Sequence, residues 1–174
     1  DEDVSQYEVT DTSYAGVVQV LIGGASDTTD NDDNNTDDNN DNNDGDNALN
    51  GTGTLLISGC HILTAAHVVW DEAAAAAYDP SNVTIKFELE DGIVKYYEAA
   101  AIYVHPSYMG NVSTDVDLAI IQLGEVAPEG VQGYDINRDS DELGQIFTKL
   151  GYGYAGQGDD TATEITERTY GDKI

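Results

Sequence analysis

The sequence predicts an all-β protein, an antiparallel barrel or sandwich, and three observations carry that expectation. Short β-branched runs recur along the chain, separated by glycine and Asp-Gly turns. One of them, Asn82–Leu89, alternates with period two: Val83, Ile85, Phe87 and Leu89 share one face, Thr84, Lys86 and Glu88 the other. Helix signals are sparse. Asp71–Ala77 alone reads as a short helix, with Asp71 as its N-cap.

Taken in order, the first strand is Ala15–Ile22 (AGVVQVLI), a β-branched run of strand length. Asp27–Asn47 is almost wholly Asp and Asn and has no large apolar side chain to bury, so it reads as a solvated loop inserted between two strands. Gly51–Ser58 (GTGTLLIS) and His61–Thr64 (HILT) are the next two strands, split by Gly59. Asn82–Leu89 turns at Asp91-Gly92 into Ile93–His105, and Asp117–Leu123 (DLAIIQL) is a largely apolar strand.

Composition limits what such a chain does. With 40% apolar residues it can bury a core, and no apolar run approaches the roughly 18 residues that cross a bilayer. The 34 acidic residues against six basic ones give a formal net charge of −28. That surface repels phosphate backbones and excludes nucleic-acid binding; it suits a salty medium, where ions screen the self-repulsion. Cys60 is the only cysteine, so no disulfide forms within the chain. It reads as a small buried apolar side chain rather than a nucleophile.

The acidic tract has a second reading, because carboxylate and amide oxygens are the ligands calcium prefers. Its best local approach to an EF-hand loop is Asn40, Asn42, Asp44 and Gly45, and the position of the bidentate glutamate falls on Gly51. A solvated acidic insert is therefore favoured over a calcium site, and no cofactor is required. Asn34, Asn50, Asn82 and Asn111 start Asn-X-Ser/Thr triplets, which matter only if the source glycosylates them.

Chemistry concentrates at Thr64-Ala65-Ala66-His67. A glycine-rich strand turns, and a second strand delivers a histidine beside small alanines that leave room for a substrate. The unperturbed pKa of histidine suits a general base near neutral pH. A base needs an orienting carboxylate, and Asp117 stands fifty residues on, at the mouth of an apolar strand. Burial there demands a partner. Asp115 is the rival, but it lies outside the apolar run.

These segments together resemble the chymotrypsin/trypsin family. GTGTLLISGCHILTAAHVV is similar to its histidine motif and DLAIIQL to its aspartate motif; His105-Pro106-Ser107-Tyr108 resembles the segment before that aspartate, and Leu150-Gly151-Tyr152-Gly153 the glycine-aromatic-glycine strand after it. The resemblance runs from about Ser13 to Gly153, broken by the acidic insert. It implies Greek-key barrels packed as a pair: residues 1–130 form the first, and 131–174 only begin the second.

The implied activity is serine endopeptidase, with His67 as general base and acid and Asp117 as its orienting carboxylate, while His105 is structural and His61 a strand residue. The implied partner is a protein or peptide substrate, the full-length enzyme a monomer and its setting extracellular. The nucleophile's Gly-Asp-Ser-Gly-Gly motif does not occur: Gly171-Asp172 continues into Lys173-Ile174. The cysteine pair that usually brackets the histidine is also absent, with Val68 in one of its places. The chain by itself is therefore expected to be an inactive N-terminal portion, poorly stable or sticky without the strands that complete it. The competing expectations are a non-catalytic protease-like binding module and an acidic, calcium-associated surface protein.

Overall fold

The computed structural model describes residues 12–23, 49–155 and 163–171. Its strands are β1 (Val17–Ile22), β2 (Leu49–Leu55), β3 (His61–Thr64), β4 (Trp70–Asp71), β5 (Ala76–Ala77), β6 (Val83–Glu88), β7 (Val94–Val104), β8 (Ala119–Leu123), β9 (Lys149–Ala155) and β10 (Thr163–Gly171). Six of them close an antiparallel barrel in the order β1-β2-β3-β8-β7-β6, with β6 pairing back onto β1. The expected barrel is present, and closure leaves its strands no free edge.

Alternation along each strand fills the interior. Val18, Val20, Leu55, Ile62, Ile85, Phe87 and Ile121 are fully buried there. Each such side chain contributes about 1.5–3 kcal/mol by leaving water. Gly53 makes the tight packing possible, because a Cβ at that position would lie 2.4 Å from Ile62 Cγ2.

At the β6–β7 turn, Asp91 and Gly92 both take left-handed φ, 59° and 71°. That is the pattern of a type I′ hairpin turn, as the Asp-Gly pair predicts.

The helix expected over Asp71–Ala77 is not there. The segment forms a small hairpin, Trp70 opposite Ala77 and Asp71 opposite Ala76. Asp71 caps as foreseen, its Oδ1 accepting from the N–H groups of Ala73 and Ala74, but it caps a hairpin loop. Seven residues are too few to nucleate a helix from alanine propensity alone. Here the bond from Tyr78 N–H to the Val69 carbonyl ties the two ends together.

β9 lies against β1 and β2 and pairs with β10 in a separate two-stranded sheet. The link is specific: Thr52 Oγ1 accepts from Tyr152 N–H at 2.8 Å and donates to the Tyr152 carbonyl at 3.2 Å. Between β8 and β9 the chain exposes Ile136, Leu143, Ile146 and Phe147. Among the described residues no helix is long and apolar enough to cross a membrane.

The register also sorts the loops. Ile22 pairs with Leu49 and Val83, and Ala119 pairs with Thr64 and Val104. The ends of β1, β3 and β7 and the starts of β2, β6 and β8 therefore share one rim. Connections 23–48, 65–82 and 105–118 all leave from it.

Candidate active site

His67 sits on that rim, in a single 3-10 turn (Ala66–Val69) that continues β3. Ala66 and Val69 are fully buried and pin the turn to the barrel mouth. Val68 folds over Gly51, where a Cβ would lie 2.7 Å from both valine methyls. Small residues on both elements thus let the turn seat itself closely, and His67 points away from the core with its side chain 54% exposed.

Asp117 grips the histidine at two points. Its Oδ1 accepts from the His67 backbone N–H at 2.9 Å, and its Oδ2 lies 2.7 Å from His67 Nδ1. A carboxylate only accepts, so Nδ1 carries a proton, and in the neutral imidazole Nε2 is then the nitrogen with the lone pair. Burial works to raise the Asp117 pKa, but the bonds and charge interaction from His67 outweigh it and hold the carboxyl below its usual range. Asp117 therefore stays ionised beside the imidazole.

Asp115 has a different role. Its Oδ2 accepts from Met109 N–H at 2.7 Å and Asn111 N–H at 3.1 Å, tying the 105–118 connection to itself. Those bonds lower its pKa. Tyr108 is buried in the same connection and meets Trp70 edge-to-face, ring centroids 5.2 Å apart. Burial raises the Tyr108 pKa first, and the charges of Asp117, Asp115 and Glu72 raise it further. This aromatic pair was not assigned a site role from sequence, although the His105–Tyr108 motif was its available signal.

The other titratable residues lie outside the pair. His105 Nδ1 accepts from Ser107 N–H at 3.2 Å and shapes the loop. His61 is near Ser58 Oγ (2.9 Å) and Cys60 Sγ (3.4 Å) at the β2–β3 turn, the far end of the barrel. Cys60 is partly exposed rather than buried, because it lies in the tight β2–β3 turn, next to Gly59 with φ of +73°, and not at an inward-facing strand position. Asn40, Asn42 and Asp44 fall outside the described residues. Among those described, no three His, Cys, Asp or Glu side chains gather to hold a metal ion.

This geometry delivers an oriented general base. Nε2 can take a proton from a hydroxyl placed against it, and Asp117 stabilises the imidazolium that results. Among the described residues no serine is bonded to that nitrogen.

Comparison with known proteins agrees in kind. The family model described as Trypsin matches residues 37–173. No curated protein matches the chain. Among solved structures, a scabies mite inactivated protease paralogue, S-D1, superposes with a TM-score of 0.60 at 15% identity, covering 94% of this chain and 59% of that one. A Glu endopeptidase solved in complex with MPD superposes with a TM-score of 0.58 at 18% identity, covering 84% of this chain and 58% of that one. The chain thus spans less than two thirds of either.

Proposed function

The chain belongs to the trypsin family, and we propose that it supplies the base-bearing barrel of a serine endopeptidase. The observation that carries this reading is the two-point bond from Asp117 to His67. A carboxylate holding both the backbone N–H and Nδ1 of one histidine fixes ring, tautomer and charge together, which a general base needs and a core histidine does not. In this reading His67 takes the proton from the nucleophilic serine and returns it to the leaving amine.

In this reading the serine, the oxyanion hole and the pocket that selects the residue at the cut are supplied by other parts of the enzyme, since the chain spans only 58–59% of its structural relatives. The enzyme acts outside the cell on protein or peptide substrates and needs no cofactor. Residues 1–130 act as the first barrel, and 131–174 begin the second.

The test is labelling of the protein in its natural source with a fluorophosphonate probe. The expected result is a labelled species heavier than 18.6 kDa that contains these peptides and loses labelling on His67→Ala. An unlabelled species whose mass matches this chain alone overturns the reading in favour of a non-catalytic binding module.

A further inference from the structure

Trp70 stands three residues after His67, where the turn that carries the histidine passes into β4. Its backbone is held on both sides. Val69 is fully buried and its carbonyl accepts from Tyr78 N–H, while Trp70 itself pairs with Ala77 across the hairpin. The half-buried indole then meets the other connection that serves the site: Tyr108 packs against it edge-to-face, centroids 5.2 Å apart and planes at 89°. Gly110 of the same connection lies so close that a Cβ there would sit 3.3 Å from Trp70 Nε1. Its φ of +97° favours glycine, and the missing side chain leaves the indole room.

Tyr108 is in turn tied to Asp117. Its N–H donates to the His105 carbonyl at 2.8 Å, and His105 N–H donates to the carbonyl of Leu118, the residue after Asp117, at 2.9 Å. A continuous path therefore runs from His67 through Val69 and Trp70 to Tyr108, and through His105 and Leu118 back to Asp117. The bonds between Asp117 and His67 close it. The ladder between β3 and β8 ends at Thr64 and Ala119, so both members of the pair lie past the last strand pairing. The aromatic contact is what joins their two loops beyond that point, and neither ring belongs to a barrel strand.

We propose that Trp70 is a positioning residue: packed on Tyr108, it locks the turn bearing His67 against the connection bearing Asp117 and holds the imidazole in register with its carboxylate. The effect on rate rests on the endopeptidase reading; the register is a property of this barrel. An aromatic pair that only covered the core would stabilise the fold without setting the geometry of the base. Displacement of a catalytic group by about 1 Å costs up to 10²-fold in rate.

The test uses the full-length enzyme with Trp70→Leu, Tyr108→Leu, the double variant and Trp70→Phe, each assayed well below its melting temperature. Trp70→Leu should lower kcat on a peptide substrate by about 10–10²-fold with KM little changed. Tyr108→Leu should do the same, and the double variant should lose no more than the worse single one, because the rings act as a unit. Trp70→Phe keeps an aromatic contact and should recover most of the loss. In the proton NMR spectrum, the line of the His67 Nδ1 proton should be broadened by solvent exchange in Trp70→Leu and stay sharp in Trp70→Phe. Unchanged kcat and an unchanged line in folded Trp70→Leu overturn the proposal, with Tyr108→Leu deciding from the other side of the contact if Trp70→Leu does not fold. A rise in KM alone overturns it too, since that makes Trp70 a substrate contact. If the wild type neither cuts peptides nor labels with fluorophosphonate, the endopeptidase reading fails, and the Nδ1 line alone then decides whether Trp70 holds the pair in register.

Discussion

Asp117 and Asp115 stand two residues apart, and their hydrogen bonds separate them. Asp117→Asn keeps the shape but turns an amide toward Nδ1, which favours the wrong tautomer. In the full-length enzyme it should lower kcat by about 10⁴ while the melting temperature moves little; comparable loss of folding would contradict this. Asp115→Asn should leave the chemistry intact and loosen the 105–118 connection. Its pH dependence follows from sign. The folded pKa of Asp115 lies below its unfolded value near 3.9, so its stabilisation is present above that pH and is lost as pH falls through the folded value. Melting temperatures of wild type and Asp115→Asn should differ at pH 6 and converge as pH falls through the folded pKa. A gap that widens on acidification would refute the assignment. The choice of Asp117 was legible because it heads an apolar run; the bonds that occupy Asp115 were not, since they depend on how the loop folds.

At the scale of elements, periodicity carried most of the reading. Val83, Ile85 and Phe87 face inward as their alternation requires, and the Asp91-Gly92 turn follows from residues that accept positive φ. Asp71–Ala77 shows the limit, because local alanine propensity lost to pairing between its ends. Ala75 bears the consequence, with φ of 49°. Ala75→Gly should stabilise the protein by about 0.5–1 kcal/mol, the left-handed penalty less the entropy glycine restores to the unfolded chain. Gly53→Ala should do the opposite, costing about 1–3 kcal/mol through its clash with Ile62 inside the barrel. Denaturant unfolding of both variants reads the two signs directly.

At the scale of the molecule, the formal charge of −28 works against compactness. Added NaCl should raise the melting temperature between about 0.05 and 1 M as the repulsion is screened. A flat or falling curve would mean that attractive pairs dominate, contrary to the scarcity of lysine and arginine. The exposed Leu143, Ile146 and Phe147 mark where apolar surface remains uncovered outside the barrel.

The sequence by itself determined the barrel strands and the acidic balance, and it singled out His67 and Asp117 as candidates, because period-two burial, motif residues and net charge are each written locally. Only the tertiary structure decided that a carboxylate fifty residues away holds His67 at two points, and that Val68 seats over Gly51. Those facts depend on which strands pair and in what register. Pairing is set by closure of the whole barrel, and no single segment contains that information.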